Sequence, residues 1–372
     1  MTSALFTPYR LGPIELANRI VVSPMCQYSA QDGAATGWHH IHLGQFALSG
    51  AGLVFVEATA VEPAGRITPG CLGLYSDATE AALAGVVRGF RAEAGATRIG
   101  IQLAHAGRKA SSRRPWEGGG GLPQGEGGWQ TVAPSAVAFD DGRDAPQALD
   151  TAGLARIRDA FVASARRAVR IGFDAIELHM AHGYLLHQFL SPLGNRRGDA
   201  YGGALENRLR FPLEVFDAVR KVVPETIALG VRVSATDWIE GGWTPDETVA
   251  LAKALERRGC RFMDVSTSGI STKAKIALAP GYQVPFAARV RAATALPVMA
   301  VGLIAEPQHA ESIVASGQAD LISLGRVMLD DPRWPWRAAA ALGAEASLPD
   351  QYGYAVGARW RELARQPAAA AE

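Results

Sequence analysis

From about residue 19 onward the chain alternates between two kinds of segment. Short, β-branched apolar runs give way to helix-length stretches rich in Ala, Leu, Arg and Glu. The runs fall at Arg19–Pro24, Leu53–Ala58, Arg98–Leu103, Asp174–His179, Ile227–Ser234, Phe262–Ser266, Pro297–Val301 and Asp320–Leu324. Helical spacing predicts helices near 39–49, 78–94, 151–171, 204–222, 245–258, 284–294, 306–316 and 334–342. Several carry start signals: Asp150 or Thr151 before the third, and Thr244-Pro245-Asp246-Glu247, which puts Pro in the first turn beside two acids. Gly95, Gly172, Gly259 and Gly317 stand where a left-handed helix end suits glycine. The strand runs are apolar throughout rather than alternating, the pattern of a parallel sheet covered by helices on its faces. Eight strand–helix pairs are the number that closes an α/β (β/α)8 TIM barrel; a doubly wound open sheet is the alternative.

Three segments stand outside this rhythm. Two short apolar pieces around Leu11-Gly12-Pro13 predict an N-terminal hairpin within about residues 1–18, placed to plug the barrel floor. Residues 108–149 separate the third strand from its helix and are loaded with Gly, Pro, Trp and charge. A connection this long is a functional lid or partly disordered, and Trp116 and Trp129 favour a lid that packs on something. Residues from about 344 to 372 form a C-terminal extension with a frayed end. The expectation is one barrel domain over residues 1–372.

Composition changes little. With 48% hydrophobic residues in 372, the core can be large, and a net charge of +1 gives no electrostatic case for nucleic acid or an anionic membrane. Three widely spaced cysteines, Cys26, Cys71 and Cys260, argue against disulfides and structural zinc and for a reducing compartment. No signal peptide or membrane span is visible, so a cytoplasmic protein is expected.

Chemistry collects where a barrel puts it, at the C-terminal ends of the strands. The fourth run ends in Glu177-Leu178-His179-Met180-Ala181-His182-Gly183-Tyr184, which sets two imidazoles and a phenol together. They could bind a metal, with His105 as the only candidate for a third ligand, or hydrogen-bond one substrate oxygen as negative charge develops on it. Simple packing suits so polar a cluster poorly. Gly302 and Gly325-Arg326 end strands seven and eight, the usual phosphate place in this fold. The phosphate could belong to FMN, pyridoxal phosphate or a sugar. The lysines, Lys109, Lys221, Lys253, Lys273 and Lys275, fall outside the strand ends, which disfavours a Schiff base. Arg232 lies in an apolar strand, either ion-paired with Glu177 or Asp264 or facing a ligand that gains negative charge, and Gln102 could read the adjacent edge of a flavin ring.

These motifs resemble the old yellow enzyme family of flavin-dependent ene-reductases, in particular its bacterial thermophilic-like subclass with the xenobiotic reductases. The likeness runs through Asn18–Tyr28, Gln102–Arg108, His179–Pro192, Asn195-Arg196-Arg197, Asp199–Gly203, Glu206-Asn207-Arg208, Val231–Ser234, Val301-Gly302 and Leu324-Gly325-Arg326. It implies non-covalent FMN reduced by NADPH or NADH, and an enone or other α,β-unsaturated substrate. By resemblance Ser23, Pro24, Met25 and Ala60 line the flavin, Gln102 and Arg232 contact its pyrimidine edge, and Gly302, Gly325 and Arg326 hold its phosphate. Cys26 would touch the flavin near N5. His179 and His182 would bind the substrate oxygen, with Tyr184 as acid and Tyr28 as a further wall or hydrogen bond. A homodimer or homotetramer is implied, although the family's C-terminal arginine is replaced here. Gln351-Tyr352-Gly353 is followed by Tyr354, leaving Tyr354, Arg359 or Trp360 to enter a neighbour's site. A metal-dependent hydrolase and a catalytically silent flavin protein remain the rival readings.

Overall fold

The computed structural model describes residues 3–356. Eight parallel strands close a barrel in chain order: β1 (Ile20–Val22), β2 (Leu53–Ala60), β3 (Arg98–Ala104), β4 (Ala175–Met180), β5 (Ala228–Ser234), β6 (Met263–Ser266), β7 (Val298–Ala300) and β8 (Leu321–Leu324), which returns to β1. Each lies within a predicted run or extends it by one or two residues. The surrounding helices are α1 (Gly37–Ala47), α2 (Asp77–Glu93), α3 (Thr151–Ile171), α4 (Leu185–Leu190), α5 (Leu205–Arg220), α6 (Pro245–Glu256), α7 (Val284–Ala293), α8 (Pro307–Ala315), α9 (Arg326–Asp330) and α10 (Trp334–Leu342). The short α4 and α9 are the two that periodicity did not predict.

Local chemistry explains the boundaries. In α3, Leu154, Ile157, Phe161, Ala165 and Ala168 recur every three or four residues, and all are buried against the barrel. Its start is fixed by the Asp150 carboxylate accepting from the Gly153 N–H at 2.7 Å, and its end by Gly172 at φ +93°. At α6, Pro245 and the two acids stand in the first turn as predicted, and Thr244 and Glu247 also form a reciprocal cap.

The barrel interior has two zones. At the floor, the hairpin Tyr9–Leu11 and Ile14–Leu16 presents Leu11, Ile14 and Leu16 to Val21, Leu53, Phe55, Ala175, Ala228, Phe262, Met299 and Leu321. Phe55 and Phe262 fill this zone because two strand neighbours lack side chains. A Cβ on Gly100 would stand 2.6 Å from the Phe55 ring, and one on Gly230 2.5 Å from Phe262. Above the floor the interior turns polar, with Ser23, Gln102, Glu177, Arg232, Asp264 and Ser323 all buried.

The segment after β3 is anchored. Arg108 donates to the carbonyls of Val137 and Ile270, Arg143 to that of Ala110, and the Trp129 indole to that of Ala64. Val132–Ala133 pairs with Gln147–Ala148. Trp129 packs as expected, whereas Trp116 is 66% exposed and meets only the edge of Tyr28.

Truncating Phe262 to Ala should cost about 3–5 kcal/mol by opening a cavity in the sealed floor. Urea midpoints at constant m-value would read this, and a loss below about 1 kcal/mol would show that the floor collapses to fill the space.

Candidate active site

The polar zone is a connected layer. The Gln102 amide donates to Glu177 Oε1 at 2.7 Å, Arg232 Nε lies 3.1 Å from Asp264 Oδ2, and the hydroxyls of Ser23 and Ser323 are 2.7 Å apart. Burial pushes the Glu177 carboxyl up to about 8, Asp264 adds to the push, and Arg232 opposes it. Asp264 is likewise raised by burial, with Arg232 and Ser323 pulling it down. Arg232 is ion-paired with Asp264, and among the described residues its guanidinium makes no hydrogen bond, so it still has N–H groups to offer.

Parallel pairing sets His179 level with Arg232, at the top of this layer. The chain then turns through His182 at φ +57° and Gly183 at φ +73°. The turn is tight because Gly183 and Gly269 meet backbone to backbone, leaving no room for a Cβ on either. His182 Nδ1 lies 3.3 Å from His179 Nε2, and its Nε2 lies 2.9 Å from the Ser266 hydroxyl. His179 Nδ1 accepts the Ala181 N–H, which places the ring proton on Nε2. Burial, then Arg232, push both imidazoles well below their ordinary pKa, so they act as neutral N–H donors. The Tyr184 ring meets His179 edge-on at 4.9 Å, and burial raises its phenol well above the ordinary value.

On the far side, a cavity of about 550 Å³ is lined by Tyr282, Gln283, Gly302, Ser323, Gly325 and Arg326, among others, within the usual size range of a small-molecule site. Gly302 has φ +125°, and a Cβ there would stand 2.9 Å from the Gln283 amide nitrogen. Among the described residues nothing accepts from the backbone N–H groups of Gly302, Leu303, Gly325 or Arg326, and the Arg326 guanidinium has no ion-pair partner. Met25 Sδ comes within 3.7 Å of where a Gly325 Cβ would be, so the β1 loop borders this cavity. Free backbone donors, a glycine cradle and an unpaired arginine suit a phosphate, and the unused N–H groups of Arg232 suit the carbonyl edge of a flavin.

The β1 loop also carries Pro24, Cys26 and Tyr28. Its shape is fixed from below by Glu57, whose carboxylate accepts the Gln27 N–H at 3.0 Å and lies 3.4 Å from His39 Nε2. Burial pushes the Cys26 and Tyr28 side chains above their ordinary values, keeping a thiol and a phenol. Ala60 closes β2 and is buried. Of the residues considered for a neighbouring subunit's site, Tyr354 is exposed, and Arg359 and Trp360 lie outside the described residues.

His105 does not join the histidine pair. Its Nε2 lies 2.9 Å from Glu62 and its Nδ1 accepts the Gly107 N–H, so the donor set for a metal on His179 and His182 is not assembled. Lys109 is the converse case. Set aside as a loop lysine, it is half-buried at the site, donating to the carbonyls of His182 at 2.8 Å and Gly269 at 2.9 Å, with its ammonium 5.1 Å from the Tyr184 ring centre. Its place directly after the Gln102–Arg108 motif was the available signal. Ser266, Gln283, Glu57 and His39 gave none beyond their polarity.

The NADH:flavin oxidoreductase / NADH oxidase family model matches residues 4–345. The chain belongs to this family, that of the old yellow enzymes. An NADPH dehydrogenase of Geobacillus thermodenitrificans is 44% identical over 354 residues, covering 95% of this chain and 98% of the relative. An NADH:flavin oxidoreductase of Gibberella zeae is 42% identical over 368 residues, covering 94% and 88%. Among solved structures, morphinone reductase superposes with a TM-score of 0.75 at 32% identity, over 96% of this chain and 95% of that one. As an old yellow enzyme, the protein is an oxidoreductase with FMN as cofactor and a reduced nicotinamide as electron donor. No helix among the described residues is long and apolar enough to cross a membrane.

Burial, with Arg143 and Arg108 nearby, lowers Lys109 from its usual 10.5 to about 7. Between those values the unfolded chain binds the lysine proton more tightly, so stability rises with pH; the penalty is full below about 7 and relieved toward 10.5. The stability of wild type relative to Lys109→Met should therefore grow between about pH 7 and about pH 10 in urea denaturation. A flat difference would return the lysine to an ordinary pKa.

Proposed function

We propose that this family member is an NAD(P)H:enone reductase that saturates the C=C bond of α,β-unsaturated carbonyl or nitro compounds. The observation that carries the reading is the pair of neutral imidazoles, 3.3 Å apart, with His179 level with Arg232. Neutral N–H donors suit an oxygen that becomes negative only as the reaction proceeds. A cation there would bind anionic ground states as well.

Bound FMN would supply hydride chemistry, with NADPH or NADH as reductant and the substrate β-carbon as acceptor. His179 and His182 turn their N–H groups from each other and from Ser266 to the substrate oxygen, polarising the C=C bond. Tyr184, protonated throughout the neutral range, gives its phenolic proton to the α-carbon. Tyr28 and Cys26 would wall the substrate side, with the Cys26 thiol as a neutral donor toward the flavin. Ser23, Pro24, Met25 and Ala60 would line the ring, Gln102 and Arg232 would hold its pyrimidine edge, and Gly302, Gly325 and Arg326 would hold the phosphate. The segment 108–149 closes over the substrate. The whole site belongs to one barrel domain of a cytoplasmic homodimer or homotetramer, with Tyr354 available to a neighbouring site.

Purified protein should be yellow, release FMN on denaturation, bleach with NADPH and regain colour with 2-cyclohexenone. Bleaching without turnover would instead favour a silent flavin protein. Replacing His179 and His182 together by Ala should leave FMN bound, weaken phenol binding and lower enone turnover by at least about 10²-fold, the usual loss for one oxyanion donor. Loss of FMN with enone affinity kept would overturn the role of the pair.

A further inference from the structure

Two buried carboxyls share the barrel interior with one guanidinium. Glu177 and Asp264 are 0% exposed and Arg232 is 6% exposed. One cation neutralises one carboxylate, and the 3.1 Å contact from Arg232 Nε to Asp264 Oδ2 says which. Glu177 receives a single hydrogen bond, from Gln102, and its Oε2 has no partner among the described residues; the Asp264 oxygens make no hydrogen bond either, but one of them faces the guanidinium. An ionised carboxylate with an orphaned oxygen in a dry site is far less favourable than the neutral acid. The groups that face it leave the balance unchanged. Gln102 comes from β3, Arg232 from β5 and Asp264 from β6, while His179, two residues along β4, is held neutral.

We propose that Glu177 is a redox-linked proton site: it holds a proton in the neutral solution range, gives it up in alkaline solution, and takes one from solvent when the flavin at Arg232 is reduced. A hydride from NAD(P)H brings two electrons and one proton to the flavin, leaving one added negative charge on the ring system. The proposed placement of the pyrimidine edge against Arg232 and Gln102, on which this inference rests, puts that charge next to Glu177's two partners. Arg232 must then serve Asp264 and the reduced ring together, and an ionised Glu177 would be a third anion on one cation. Uptake of one solvent proton by the Glu177 carboxylate restores the balance. Burial and Asp264 raise this carboxyl to about 8, so the event falls in an accessible range. Glu177 is thus a positioning residue, acting on the flavin through Arg232 and Gln102.

The test is the flavin midpoint potential of the FMN-loaded enzyme from about pH 7 to about pH 9.5, for wild type and Glu177→Gln. Two electrons with one proton give a slope of about 30 mV per pH unit, and a second proton doubles it. Wild type should steepen above about pH 8 and Glu177→Gln should not. Infrared difference spectra of wild type, reduced minus oxidised, need no variant: at alkaline pH a protonated-carboxyl C=O band should appear on reduction. Equal slopes in both proteins with no such band would overturn the proposal while leaving the enone reductase intact. If Arg232→Met leaves the flavin spectrum and potential unchanged, the placement of the flavin itself is wrong and the inference falls with it.

Discussion

One buried cation organises the interior of this barrel. Arg232 stands in a zone that excludes water, so each ionisable group around it takes a state that its single charge permits. Asp264 can be an anion because the guanidinium is beside it. His179 and His182 are kept neutral by the same charge together with burial. The cluster is therefore more than a list of polar residues at a strand end. Burial is the larger cause of the imidazoles' useful property, N–H donation without positive charge, and the charge of Arg232 adds to it.

This arrangement can exist only because the floor is sealed. The hairpin and the two phenyl rings beside Gly100 and Gly230 close the lower half with apolar atoms, confining the polar layer to the upper half. The three closing elements, floor, polar layer and lid, come from distant parts of the chain and meet only when the barrel closes.

Much of this was legible in the sequence. The strand runs were readable because strands buried on both faces are apolar without interruption, and the helix caps because Asp150 and Thr244 have few other reasons to stand where they do. The His179–Tyr184 cluster and the glycines after β7 and β8 were legible because polarity at a strand end is informative in a barrel. Contacts across the barrel were not. Nothing near Lys109 announces that its amine ends on His182 and Gly269, and nothing near His105 shows that Glu62 claims it. Ser266 becomes a partner of His182 only through the pairing of three strands, β4, β5 and β6. Motif reading finds residues that share a strand end; it cannot assign which neighbour each one faces.

One kind of fastening recurs in the segment over the site. Arg108, Lys109, Arg114, Trp129 and Arg143 each reach a main-chain carbonyl: Ile270, Gly269, Tyr28, Ala64 and Ala110. A carbonyl is present whatever residue occupies the position. Gly269 apart, where no Cβ fits, the receiving side chains can change without loss of these bonds, and the walls of the pocket can be recut by substitution without unfastening the segment that encloses it. In such a scaffold, substrate range can diverge quickly while the clamp beneath it stays fixed.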